Sequence, residues 1–579
     1  VTKTAGRHRR RWLIAGGIII ILLVWGAYLG ARAVSAYHHD QKGLAALEQV
    51  KSNLGPNDLT SSGSIKLLDQ AQAEFASASS ELSSPLFAPV TILPVIGRQL
   101  RSARALSTAA GTVCSVGSTF LSRVHSVLNG QHGAGTERVA SLRQLAAITA
   151  SSGAQLAAVN TGPSAGLISP LRSKRNEFVA QLNDAQDRLV KASAVTGVVA
   201  RILAGPETYV VLASNNAEMR AGSGAFLEVG AATTSDGSII LANFTPAGDV
   251  AVPAVAVTGD QERNWGWLYP SRDFRNLGET PQFNVTAPLA AQMWTAATGQ
   301  AVDGVLSLDV TGVRQLMTAT GPVVVNGQTI DADGVEQYLL HDQYNGVSTT
   351  AAQPAGRQDA LGTLAGAVLR QLQGQTTDLK SLATAVSGAV AGRNLMVWSK
   401  NPVAQAAWVA SGVSGSLTPR SVDVSVLNIA GNKLDQYLDL HVAVSTEPSG
   451  VNTQVTLTTK MSNTTPAGQS QYIAGPFPGS PLAYGEYYGV LAANVPGTAT
   501  GVSISGAGPT AVKGSEGPTW VIGAPFNLLA GAEQTVTVHF TMPGSHGSMA
   551  LIPSTRVPAE QWTANGRTFD DTTPVTITW

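Results

Sequence analysis

Asn215, Asn216, Glu218, Arg220, Gly222, Ser223 and Gly224 crowd into one short stretch, NNAEMRAGSG, between two apolar runs. These residue types suit an oxyanion. Arginine offers a planar, permanently charged fork, and glycines let backbone N–H groups approach a phosphate or carboxylate. A structural reading fits the same residues, with Asn and Gly shaping a turn while Glu218 and Arg220 balance each other locally. The sequence leaves both open.

No other motif supplies a clearer chemistry. The nine histidines are scattered, and no HExxH occurs. No G-x-S-x-G elbow precedes a helix, which removes support for an α/β-hydrolase. AGSGAF is followed by a strand pattern rather than a helix, so it is not a dinucleotide fingerprint, and it lacks the Gly-Lys-Ser/Thr of a Walker loop. The single Cys114 excludes an intramolecular disulfide framework and a cysteine-built zinc site, and is read as a small buried hydrophobe. Lys plus Arg and Asp plus Glu each number 37, a balance that argues against a nucleic-acid partner.

The elements that must position the stretch are legible from periodicity. TYVVLAS (208–214), AFLEVGAATT (225–234) and SIILANF (238–244) read as consecutive strands, with SDG (235–237) as a hairpin turn. A loop rich in Trp, Tyr and Arg follows at 260–284. Helices and strands then alternate through APLAAQMWTAAT (287–298), DGVLSLD (303–309), GPVVVNG (321–327) and RQDALGTLAGAVLRQL (357–372). Interleaving of this kind predicts a layered α/β domain over residues 201–420. Beyond it the period falls to two, as in YLDLHVAVS (437–445) and TVTVHFTM (535–542), predicting an antiparallel β-sandwich over 421–579.

Towards the N-terminus, residues 32–200 are Ala/Ser/Leu/Gln-rich with helical spacing, as in Leu68, Phe75 and Leu82. RHRRR (7–11) precedes the charge-free run Trp12 to Ala31, which at 1.5 Å per residue would span ~30 Å. That pattern predicts a membrane-spanning signal-anchor at 12–31, a cytoplasmic tail at 1–11 and the bulk of the chain outside the cell membrane, with a signal peptide cleaved at the small residues of ARAVSA (31–36) as the alternative that the length of the run disfavours. PLFAPVTILPVIG (85–97) carries three prolines and is too short to span. It reads as a buried connection between helices, with contact to lipid as the alternative. The fold class expected is thus multidomain α+β.

Several segments together resemble the domain of unknown function 4012 family of membrane-anchored bacterial envelope proteins. They are LASNNAEMRAGSGAF, DGVLSLDVTGVRQLMTATGPV, LMVWSKNP (395–402), VLNIAGNKLDQYL (426–438) and MSNTTP (461–466). That family has no established activity, so the resemblance implies architecture rather than chemistry. The central domain also resembles, more distantly, the LytR–CpsA–Psr phosphotransferases, which move glycopolymers from a polyprenyl pyrophosphate carrier. In that resemblance Arg220 stands at the first arginine, GRQ (356–358) supplies Arg357, and Asp249 in TPAGD (245–249) is the remaining acid that would help hold Mg²⁺. Gly222 occupies the place of the loop aspartate, and TPAGD lacks the arginine of the Pro-Arg-Asp turn. Those losses favour a retained fold without its catalysis.

Three functions therefore follow as expectations. The first is a non-catalytic envelope protein that binds a cell-surface glycopolymer, a lipid-linked precursor or a partner protein. The second is a phosphotransferase acting on a polyprenyl-phosphate-linked glycan, and the third a structural spacer. The anion or ligand site expected is Asn215, Asn216, Arg220, Gly222, Ser223, Gly224 and Arg357, with Asp249 as the metal candidate.

Overall fold

Residues 5–53, 62–130, 135–325, 327–344, 347, 360–373 and 379–579 are described by a computed structural model, with side chains in the first helix from Leu23 onward. The chain divides into two units, one of residues 1–131 with 141–197 and one of residues 132–140 with 198–579. Arg357 and the GRQ motif lie outside the described residues.

The first unit is helical. Its elements are α1 (Ala5–Asn53), α2 (Ser62–Leu82), α3 (Ala88–Thr91), α4 (Ile96–Leu128) and parts of α5 (Thr136–Ala157) and α6 (Ser169–Ala204). Leu68, Ala71, Phe75, Ala78 and Leu82 recur at three- and four-residue spacing and form the buried stripe of α2. The Phe75 ring lies where a side chain at Gly43 would stand, so α1 and α2 approach closely. Cys114 is free and fully buried on α4, and burial pushes its thiol up to about 12.

Two expectations for this unit are corrected. Among the described residues, no helix is long and apolar enough to cross a membrane. Residues 12–31 are one stretch of α1, which continues without a break to Asn53 and takes in His38, His39, Asp40, Lys42, Glu48 and Lys51. The membrane-spanning assignment falls, and the single-pass localisation built on it falls too. The Pro85–Gly97 segment is not a buried connection. It folds into a short turn of helix at Pro85–Phe87 and then α3, and of its large apolar residues only Phe87 is buried.

In the second unit the central sheet is mixed. Its order is β3 (Ser238–Leu241), β2 (Ser223–Ser235), β1 (Glu207–Arg220), β5 (Gly304–Asp309) and β8 (Leu395–Ser399), with β4 (Thr245–Pro246) also on β2. A separate ribbon pairs β6 (Val323–Val325) with β7 (Gln328–Ile330). Alternation along β1 builds two cores. Val210 and Leu212 face Phe226, Phe283 and Met293, whereas Val211 and Ala213 face Leu308, Leu316 and Leu364. Helices thus cover both faces of the sheet, which makes the domain layered α/β.

Two six-stranded sheets form the sandwich. One runs Thr500–Ser505, Glu533–Pro543, Asn452–Asn463, Leu438–Ser449, Gln561–Ala564, Arg567–Asp570. The other runs Val512–Glu516, Thr519–Leu528, Tyr487–Pro496, Ser421–Asn428, Ser548–Leu551, Val575–Thr578. Their facing residues, among them Val424, Leu440, Leu457, Leu491, Val538 and Trp562, close one apolar core. The sheets are not wholly antiparallel, because Gln561–Ala564 and Ser548–Leu551 each join a neighbour in parallel.

Candidate functional site

The stretch Asn215–Arg220 is strand, not loop. β1 pairs in parallel with β5 only over Tyr209–Ser214, and its last residues run past that partner while still pairing with β2. The ladder is irregular between Asn215 and Met219, and closes with Arg220 opposite Ser223 across the two-residue turn Ala221-Gly222. This overhang meets the sandwich, and residues of the sandwich and of the central domain together satisfy its polar groups.

Both asparagines are fully buried. Asn215 donates from Nδ2 to the hydroxyl of Tyr344, 2.5 Å away, while its Oδ1 accepts from the amide of Ala217 at 2.9 Å. Asn216 donates to the carbonyl of Thr555 at 2.8 Å and to Asp309 at 3.2 Å, and accepts from the amide of Val310 at 3.1 Å. Glu218 forms an ion pair with Lys433, whose ammonium also lies 4.6 Å from the centre of the Tyr344 ring. The amide of Met219 donates to Asp435 at 2.9 Å.

Arg220 is half-buried and donates from one Nη to the carbonyls of Asn428, 2.7 Å away, and Met219, 3.0 Å away. Gly222 sends its N–H to the carbonyl of Gly278 at 2.8 Å. A Cβ on Gly222 would stand 2.8 Å from the carbonyl oxygen of Thr280, and one on Gly224 only 2.1 Å from the carbonyl of Asn215. Ser223 shares a 2.8 Å hydrogen bond with Ser214. The glycines thus serve close strand packing, and the Gly222 amide is spent inside the protein.

Asp249 sits apart from this cluster. It is exposed at the end of a short helical turn, Ala247–Asp249, next to the guanidinium of Arg275. Among the described residues no group of three or more His, Cys, Asp or Glu is arranged to hold a metal ion.

The segment 260–284, expected as a loop, begins as a helix over Gly259–Trp265 followed by a tight turn over Gly266–Leu268, and carries an arrangement its composition did not disclose. Trp265 is its fully buried anchor, with the indole N–H donated to Glu516. Asn264 donates to the carbonyl of Ser515 at 2.9 Å, Gln282 to that of Glu516 at 2.9 Å, and the amide of Gly517 donates to Asp260 at 2.8 Å. Phe274 and Phe283 are buried as well, and between these anchors Trp267 and Tyr269 turn outward. Trp267 is 43% exposed, and Tyr269, in a left-handed conformation at φ 53°, is 53% exposed. The Arg272 guanidinium lies 4.2 Å from the centre of the Tyr269 ring. Asp273 pairs with Arg275, and Arg263 with Asp260. Tyr488 is also part-exposed and lies on the same face of its strand as Val490, which packs in the cluster beneath Leu268. The cluster Trp265-Gly-Trp267-Leu-Tyr269 was the available signal, and only the first of its three rings is buried.

Residues 204–344 match the family model described as Protein of unknown function (DUF4012), which agrees with the resemblance carried by the opening motifs. No curated protein and no solved structure matches the chain.

Proposed function

We propose that this protein is a non-catalytic binder of neutral, hydroxyl-rich glycans, with Trp267 and Tyr269 as the stacking platform. The exposed ring pair on a loop clamped at both ends is the observation that carries the reading. A sugar ring presents an apolar C–H face that packs on an aromatic surface, and its hydroxyls seek polar groups at the rim. Arg272, stacked on the Tyr269 ring, and Asn276, whose amide reaches the Tyr269 carbonyl, are polar groups beside it. The arginines here are already paired or stacked, which favours a neutral polymer over a phosphorylated one.

The motif first singled out supports the non-catalytic part of this reading. Its asparagines and arginine are bonded within the protein and its glycines are taken up in close packing of the central domain, which leaves a lipid-linked pyrophosphate few of the donors it would need. Affinity electrophoresis through gels containing soluble neutral polysaccharides tests the proposal. At least one polymer should retard the chain, and Trp267→Ala should weaken that retardation by roughly three- to tenfold. Equal retardation of wild type and Trp267→Ala, or none with any polymer, overturns it. Turnover of a polyprenyl-linked glycan in Mg²⁺ would do so as well.

A further inference from the structure

Among the described residues, a gathering of exposed apolar side chains lies at one end of the helical unit. Ile92 is 82% exposed, Val95 66%, Ile96 57%, Leu93 47% and Leu86 46%. The indole of Trp25 in α1 donates to the carbonyl of Leu86 at 3.1 Å, and the exposed Tyr28, three residues on, shares that side of the helix. Isolated exposed leucines need no explanation, but a contiguous patch of this kind marks a docking surface.

The segment is built to hold that patch outward. Phe87 alone turns in and anchors the turn. Gly97 lets α4 pass so close to α3 that a Cβ would stand 2.3 Å from the carbonyl oxygen of Thr91, and Arg101 donates to that same carbonyl. The prolines at 85, 89 and 94 lack backbone N–H groups, which disfavours addition of a β-strand along this segment.

Charge identifies the occupant. Arg98, Arg101 and Arg104 follow at spacing of three along the first turns of α4, and no Asp or Glu occurs from Leu82 to Thr136. At the neighbouring end of α2, Glu81 is paired with Arg32 at 3.2 Å. Apolar tips, a Trp and a Tyr beside them, and a cationic stripe behind form the pattern of an interfacial element on an anionic bilayer. We infer that Leu86, Ile92, Leu93, Val95 and Ile96 insert shallowly into the surface of an anionic lipid membrane, with the three arginines contacting its headgroups. This is docking from one side, and it requires no span.

An environment-sensitive fluorophore on the full chain tests the inference residue by residue. The label is placed through Val95→Cys in a Cys114→Ala background, and for comparison through Ser126→Cys near the far end of α4. The probe is a vesicle of phosphatidylcholine with about one part in three phosphatidylglycerol, chosen for a surface potential large enough to act on arginine. The Val95 label should shift to the blue and brighten while the Ser126 label does not, and pure phosphatidylcholine should give a weaker response. Replacing Arg98 and Arg104 by Gln should raise the lipid concentration for half-response by roughly fivefold per charge. Because the label reports contact at position 95 itself, attachment through another segment leaves it unchanged. An unresponsive Val95 label on vesicle-bound protein overturns the inference. A blue shift that grows with protein concentration in the absence of lipid does so too, since the face would then be a contact between copies of this chain.

Discussion

The carboxylate of Asp435 receives the guanidinium of Arg556 at 3.0 Å in a setting where both side chains are sealed from water. It also accepts from the Tyr487 hydroxyl at 2.7 Å, the Asn428 amide at 2.9 Å and the backbone N–H of Met219 at 2.9 Å. One acid therefore locks the end of β1 to the sandwich. Removing one partner of such a pair strands the other charge, so Asp435→Ala should cost about 3–5 kcal/mol. Urea unfolding of the two proteins gives the difference directly, and a loss below about 1 kcal/mol would show the node to be dispensable.

Arg220 acts on stability rather than on an anion. Its bonds to the carbonyls of Asn428 and Met219 are charge-assisted, so Arg220→Ala should destabilise by about 1.5–3 kcal/mol. Thermal shift with inorganic pyrophosphate provides the contrast. Pyrophosphate should leave the midpoint of the wild type unchanged, and a rise in wild type that disappears in Arg220→Ala would restore the anion-site reading.

Gly224 tolerates no side chain. With the Asn215 carbonyl 2.1 Å from where a Cβ would stand, Gly224→Ala must spread the β1–β2 pair. A loss of about 1–3 kcal/mol is expected, as for other overpacked sites, and soluble yield with denaturant titration checks it.

Acidification should stabilise the second unit. Burial pushes the carboxyl of Glu279 up to about 7, with Glu516 nearby adding to the shift and Arg220 opposing it. An unfolded chain releases that proton near ~4.3, so between the two values the native state holds the extra proton. Stability then falls as pH rises through this window, by up to ~1.4 kcal/mol per unit, is fully present below it, and changes no further above about 7. Glu279→Gln should flatten this slope. A slope that persists unchanged in the variant assigns the effect to another buried acid.

The parts of the fold governed by local pattern were legible in the sequence. Val210 to Ala213 alternate between two cores, and the stripe Leu68, Phe75, Leu82 announces α2. The overhang of β1 was not legible. Asn215 to Arg220 read as loop because their partners, Tyr344, Asn428, Lys433, Asp435 and Thr555, lie far along the chain, from 129 positions for Asn215 and Tyr344 to 339 for Asn216 and Thr555. Polar residues in a strand look like a break until the acceptors that bury them are known. The charge-free run at 12–31 misled in the opposite way. A window that length meets the hydropathy pattern of a span, yet it is a fraction of a helix that continues to Asn53. The apolar composition of Pro85–Gly97 suggests an interior segment, but composition alone does not say which side faces water, and most of its large side chains are exposed.

Tyr344 closes the segment matched by the family model, yet its ring belongs to the sandwich core and its hydroxyl accepts from Asn215. β8, which completes the central sheet beside β5, lies beyond that boundary as well. A fragment trimmed to the recognisable segment would therefore lose an edge of its sheet and expose the buried amides of its first strand. The portion that sequence comparison detects is smaller than the portion that can stand alone, and expression of this region should extend through the last sandwich strand.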